Sequence, residues 1–298
     1  MDAGPDKRKA QLLRPMRFAG ERRYAVAVEA TMERGSESLR LAEEACERAR
    51  AGGAVLAYGF VDALAPERAF ETLGFASLGP APLLVRPLRL SAAGLANGLP
   101  RAAQALLAKL PLVAPFGRTR RTGFREIAVK EPRFTRLWDR FSIDVGVAVE
   151  RTASYFDGRV FERLDAGYRV FIFEDGDRYA IRAMCIFMVK GEPGARVGYV
   201  MELLHDRSVA GLRAASHLLG LALREMMDAG ADAAHAWSLP HSGSYPIYAL
   251  HAFVSPRAAL RFGTKDVHFG VRAFDPEVDE VVKVRERWYL SYLDVESL

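Results

Sequence analysis

"IYALHAFVS", residues 247–255, is the stretch whose reading decides the fold. Tyr248 stands five positions before Phe253, and a small residue, Ala252, sits just ahead of the Phe. "AFETLGFAS", residues 69–77, writes the same pattern with Phe70, Gly74 and Phe75. Working outward, residues 51–75 and 229–253 align without a gap at a constant offset of 178, which puts Ala51-Gly52 on Ala229-Gly230 and Phe70 on Tyr248. A repeat of this size means one supersecondary unit written twice. Only the second copy carries the hydroxyl.

The flanks repeat as well. Each segment follows a helical pattern, "SESLRLAEEACERARA" in the first copy and "GLRAASHLLGLALREMMDA" in the second. In the latter, Leu212, Ala215, Leu218, Leu219, Ala222 and Met226 recur at helical steps and form one apolar face. Gly52 and Gly230 close the two helices, as a C-terminal cap should. Before each helix stands an apolar strand with one Glu: "YAVAVEAT" (Glu29) and "GYVMELLH" (Glu202). After each copy comes another strand-like run, "PLLVRPLRL" and "VHFGVRAF". Alternating strands and helices predict an α/β protein of two units. The second is preceded by further β-rich text with Asp-Gly and Gly-Glu-Pro-Gly turns, residues 168–204. The first lacks that early half and reads as truncated. The expected division is a partial unit over 1–90, a Pro/Arg-rich connector with a short helix ("RAAQALLAKL") over 91–125, and a complete unit over 126–298.

Composition sets bounds. The chain has 298 residues, 50% of them hydrophobic, which suffices for two cores. No apolar run is long enough to span a membrane, since "AGGAVLAYGFVDALA" is interrupted by Asp62. The charged start offers no signal-peptide core, so a cytoplasmic location is expected. Cys46 and Cys185 lack both disulfide and metal-ligand patterning and read as small core residues. Net charge is +5, with Arg118, Arg120, Arg121 and Arg125 clustered. That suits an anionic partner or a solvated segment. No nucleic-acid motif accompanies it, and no DNA partner is expected. All six histidines fall from His205 onward without a third-ligand motif, so no metal site is expected. No Gly-x-Ser-x-Gly elbow supports serine-hydrolase chemistry.

The order strand, loop, helix, strand, then an aromatic five residues before a terminal Phe resembles the GNAT acyltransferases. "ERAFETLGF" and "PIYALHAF" match that family's closing pattern. Taken with "FTRLWDRF", with Arg151, Tyr155, Arg159 and Tyr168, and with the tail "RERWYLSYLDVESL", the chain resembles bacterial tandem-GNAT proteins. The resemblance implies mixed, mostly antiparallel sheets flanked by helices, and transfer of an acetyl group from acetyl-CoA to a small-molecule or sugar-linked amine. It implies that the strand before the helix splays from its neighbour to admit the pantetheine. It implies also that the loop at the helix start holds the pyrophosphate, where orphan N–H groups and the helix dipole favour an anion. On this sequence the cofactor-binding positions are Leu203, Leu204, Arg207, Ser208 and Gly211, with Ser242 (or Ser244) in "SLPHSGSY" beside the arm. The family's loop is Gly-rich. Here "ERGSESLR" keeps only Arg34-Gly35, and "LHDRSVAGLR" keeps only Gly211.

Acyl transfer needs an acid for the departing thiolate and a base for the ammonium. Tyr248 is the candidate acid and Glu202 the candidate base. Phe70 denies the first copy its acid, so Glu29 is not expected to act. Each has a bland reading beside it: Tyr248 as a half-buried helix residue, Glu202 as a paired or solvated carboxylate. Arg151, Tyr155 and Arg159 suit an anionic substrate, an interdomain contact, or surface pairing. Two other functions stay open, a non-catalytic ligand-binding or scaffolding protein of this fold, and an aminoacyl transferase of cell-wall or polysaccharide assembly. An exposed sheet edge on the first unit predicts pairing with another chain, as in a homodimer, or with the second unit.

Overall fold

The computed structural model describes residues 13–31, 35–62, 66–89, 123–176, 180–192, 194–255 and 267–295. The connector helix expected at 101–110, Arg34, and Arg118, Arg120 and Arg121 lie outside them. The early elements are β1 (Leu13–Phe18), β2 (Glu21–Thr31), α1 (Gly35–Ala51), β3 (Leu56–Asp62), α2 (Pro66–Leu73), β4 (Ala76–Pro80) and β5 (Leu83–Pro87). Then come β6 (Phe124–Ile127), α3 (Phe134–Phe141), β7 (Val147–Val149) and α4 (Ala153–Arg159). The later unit adds β8 (Arg169–Asp175), β9 (Ala180–Glu192), β10 (Ala195–His205), α5 (Val209–Asp228), β11 (Ala233–Trp237), α6 (Tyr245–Leu250), β12 (Val267–Ala273) and α7 (Pro276–Val282).

They build an α/β protein with two six-stranded mixed sheets, ordered β4-β12-β3-β2-β1-β7 and β5-β11-β10-β9-β8-β6. Among the described strands, only β2–β3 and β10–β11 pair in parallel, each across a helical crossover. The strand-like runs that end each copy do not stay with it. β12, from the end of the chain, inserts between β3 and β4 of the first sheet. β5, from the first copy, pairs with β11 of the second sheet, and its Val85 bridges Val254 on the other side. β7 also joins the first sheet, beside β1. The edge of β3 is therefore covered from within the chain.

Burial follows the two periodicities. α5 lays Ala215, Leu218, Leu219, Ala222 and Met226 on the outer face of the second sheet. Gly198 lets it come close, because a Cβ there would stand 2.5 Å from the Met226 sulfur. α1 covers the first sheet in the same way with Ala42, Cys46 and Ala49. A third core lies between the sheets, where Tyr58, Phe60 and Phe269 meet Trp237, Trp288 and Tyr292. Cys46 and Cys185 are both buried and reduced.

The opening pattern proves to be a helix stop. Phe75 N–H donates to the Phe70 carbonyl at 2.8 Å, and Gly74 N–H to Glu71 at 3.1 Å. Phe253 to Tyr248 (3.0 Å) and Ala252 to Ala249 (3.0 Å) repeat both bonds. This is the Schellman arrangement, whose hydrophobic contact is here the ring pair Phe70–Phe75 or Tyr248–Phe253. The residue before each Phe is left-handed, Gly74 at φ 66° and Ala252 at φ 57°. Ala252→Gly should therefore stabilise the protein by about 0.5–1 kcal/mol, and Gly74→Ala should destabilise it by about 1 kcal/mol or more. Urea unfolding of the two variants beside wild type checks the opposite signs.

Candidate active site

The second sheet splits where the first does not. β10 pairs with β11 only from Val197↔Ala233 to Val200↔Ala236. There its register with β9 slips, Val200 facing Phe187 and Glu202 facing Ile186, so Met201 is the extra residue of a bulge. Residues 201–205 continue along β9 alone. In the first sheet β2 and β3 stay paired from Ala25↔Leu56 to Thr31↔Asp62. Gly59 permits this, since a Cβ there would lie 2.3 Å from the Val28 carbonyl oxygen. At the repeat offset of 178, Gly59 corresponds to Trp237, the last residue of β11.

The chain's own loop closes over the split. Ser244 Oγ donates to the Leu203 carbonyl at 2.6 Å. His205 Nε2 stands 3.1 Å from the Gly243 carbonyl, and its Nδ1 2.7 Å from the Asp206 carbonyl. Burial holds that imidazole below its ordinary value. A neutral ring has one N–H for these two acceptors. Of the two serines offered by the sequence, Ser242 accepts from Ser244 N–H within the turn at 3.4 Å, and Ser244 is the one that reaches across the split.

Glu202, the expected base, is fully buried and saturated with donors. Arg151 Nε (3.0 Å) and Ser291 Oγ (2.9 Å) donate to one oxygen, and Leu203 N–H (3.1 Å) and the Tyr289 hydroxyl to the other. A base needs a lone pair aimed at the incoming proton. In this structure the Glu202 carboxylate directs its lone pairs at these four donors. Its partner is Arg151, also fully buried, which pairs in addition with Asp294 at 2.7 Å and donates to Val149 O at 2.8 Å. The guanidinium lies near the faces of Trp138, Tyr155 and Tyr289. The charges of Asp294 and Glu202 overcome the cost of burial and hold it well above the ordinary arginine range. Tyr155 OH and Arg159 Nε both donate to the Leu293 carbonyl. Arg151 thus fastens the tail at 289–294 to β10 through Glu202, and Tyr155 and Arg159 fasten it to α4. The tail's Tyr289, Ser291 and Asp294 were not found by sequence reasoning, although the run "RERWYLSYLD" had marked the segment.

Tyr248 is buried on α6, 3% exposed. Burial, and then the neighbouring Cys185 and Glu202, push its phenol well above the ordinary tyrosine range, so it stays protonated at neutral pH. Glu29 has its backbone in β2 of the closed first sheet, and its side chain lies outside the described residues. Phe70 is packed against β12, where a Cβ on Gly270 would stand 2.5 Å from its ring.

Ser208 caps α5, its hydroxyl accepting from Gly211 N–H at 3.0 Å. Arg207 turns away from the helix start. Its Nε donates to Phe141 O at 2.9 Å and its guanidinium lies over that ring. Leu203 and Leu204 are buried on the bulged strand. Asp206, overlooked in the sequence, lies at the helix start with its carboxylate accepting from Ser208 N–H at 3.1 Å and from the Ser208 hydroxyl. The bulge and the unpaired stretch of β10 lie beside this loop. A pyrophosphate subsite does not fit here, because the Asp206 carboxylate stands against Gly211 in the first turn and accepts from Ser208. A surface groove of about 620 Å³ lined by Phe124, Arg125, Phe173, Glu174, Arg182 and Ala210 adjoins the same helix end, but Tyr248 is not among its walls. Among the described residues no helix is long and apolar enough to cross a membrane.

No family model matches the sequence, and no curated protein matches it. The fold does match. Saccharomyces cerevisiae N-myristoyltransferase with bound myristoyl-CoA superposes at TM-score 0.56 and 16% identity, over 89% of this chain and 66% of that one. A second structure of that enzyme gives 0.56 and 16%, over 88% and 62%. A GCN5-related N-acetyltransferase from Anabaena variabilis gives 0.49 and 10%, over 88% and 58%. The chain spans just under two thirds of the length of the yeast enzyme. At these identities the likeness is one of fold alone.

Two predictions follow from the buried charges. Arg151→Met should cost about 3–5 kcal/mol, because Glu202 and Asp294 are left buried without a counter-charge, measurable as a lowered urea midpoint. His235 on β11 is 7% exposed, and burial lowers its imidazole from 6.5 to about 4. The unfolded chain binds that proton below pH 6.5 and the folded chain only near pH 4. Stability should therefore fall as pH drops through this window, by up to roughly 3 kcal/mol from this group. His251, lowered to about 4 by burial and by Arg86, adds to the same slope. Unfolding free energies from pH 7 to 4 should show the fall, and His235→Gln should flatten part of it.

Proposed function

We propose that the chain is an N-acyltransferase that moves an acyl group from a pantetheine thioester, of which acetyl-CoA is the first to try, to an amine. The observation that carries this reading is the split of β10 from β11 beyond Val200, with a protonated tyrosine beside it, in one unit only. The fold shared with N-myristoyltransferase, an enzyme solved with myristoyl-CoA, supports the same reaction class.

The reaction needs no protein nucleophile. The amine nitrogen attacks the thioester carbonyl, a C–N bond forms and the C–S bond breaks. The thiolate takes the Tyr248 hydroxyl proton, and the phenolate left behind takes the proton released by the new ammonium. With Glu202 saturated by donors, Tyr248 serves both transfers, and the amine must arrive unprotonated. The loop at 238–244 has to leave the Leu203 carbonyl before an arm can lie along β10.

A second reading, a non-catalytic protein of the same fold, is favoured by that same Ser244–Leu203 bond across the split. Turnover separates the two. With acetyl-CoA and a panel of amines, Tyr248→Phe should lower kcat by about 10²-fold or more and change donor affinity little. Wild-type protein that folds yet releases no free thiol with any amine, from acetyl-CoA, longer acyl-CoA thioesters or S-acetylpantetheine, would overturn the first reading in favour of the second.

A further inference from the structure

We infer that Asp206 stands in for the donor's phosphates at the start of α5, so that the chain reads its acyl donor by the pantetheine arm and not by the pyrophosphate. This rests on the acyltransferase reading of the second unit, and names the part of the donor that unit recognises. The start of a helix attracts an anion because its first N–H groups lack partners and its dipole end is positive. Here the anion is built in. One Asp206 oxygen takes Ser208 N–H at 3.1 Å and the Ser208 hydroxyl, while the Ser208 hydroxyl takes Gly211 N–H at 3.0 Å. The other oxygen takes Arg182 Nη1 at 2.8 Å, with Arg140 Nη1 4.0 Å away.

Asp206 is 3% exposed and its carboxylate sits directly against the first turn, since a Cβ on Gly211 would be 2.2 Å from its Oδ1. The glycine that a phosphate loop would use for close approach of an external anion is used here to seat an internal one. Burial works against the charge, but the bonds from Ser208 and Arg182 prevail and the group stays ionised. An entering diphosphate would bring further negative charge against Asp206 at the same helix end, with Asp175 also paired to Arg182 nearby. Arg207, the other cation of the loop, is engaged by Phe141 O and faces Asp144 at 3.7 Å. The donor class is thus a pantetheine thioester whose phosphates, as in coenzyme A or on a carrier protein, are left outside the helix start.

Calorimetry with S-acetylpantetheine, acetyl-CoA and inorganic pyrophosphate tests this on the full chain and on Asp206→Asn, which keeps an oxygen for Ser208 and loses the charge. The expected result is that wild type binds the two thioesters within about threefold and does not bind millimolar pyrophosphate. In Asp206→Asn, acetyl-CoA should gain about tenfold over S-acetylpantetheine, and pyrophosphate should now bind and raise the melting temperature. Wild type that prefers acetyl-CoA by about tenfold or more, or that binds pyrophosphate, overturns the inference and leaves the acyltransferase reading standing. If neither thioester binds wild type, the acyltransferase reading fails and the pyrophosphate arm still decides the role of Asp206. Pyrophosphate stabilising the variant alone upholds that role, and any other pattern overturns it.

Discussion

The structure depends on a reciprocal exchange of strands. Without β12 the first sheet would end at β3 with a row of unpaired N–H and C=O groups. Without β5 the second would end at β11 in the same way. Open edges of that kind invite association with other chains. Each unit closes the other's edge, so the two are one folding problem. The aromatic layer between the sheets follows from this, because Phe269 on β12 stacks on Phe60 and Trp237 on β11 packs against it at a tilt.

Within that frame the two copies have diverged at one pair of strands. In the first, Gly59 lets β3 come up against the Val28 carbonyl and the sheet stays whole. In the second, the bulge at Met201 turns β10 aside and the corresponding residue is Trp237. A bulge bends its strand and raises local twist, which is how a sheet opens without losing its remaining ladder. The buried Arg151 pairs keep the bent strand in place from below. Two carboxylates share one guanidinium there, and the geometry compensates the desolvation of all three only while every partner is present.

The helix start and the split tell different stories about ligands. The split carries the signs of a slot for an extended arm, although Ser244 now occupies one of its carbonyls. The helix start carries its own anion. The first copy has no such split, and its Phe70 packs under Gly270.

The sequence by itself determined what is local. The repeat at residues 51–75 and 229–253, the two strand–helix–strand crossovers and the helix stops before Phe75 and Phe253 are written in spacing and in a few small residues. Turn geometry and helical periodicity act over a handful of neighbours. The tertiary structure alone decided which sheet β5 and β12 would join, since both runs are equally good strands and only long-range pairing distinguishes their partners. It decided too that Glu202 meets Arg151 rather than solvent, and that Asp206, one acidic residue in a polar loop, would be buried over a helix end. Charge in a sequence has a sign but no burial, and burial is what set Glu202 against Arg151 and Asp206 against Arg182.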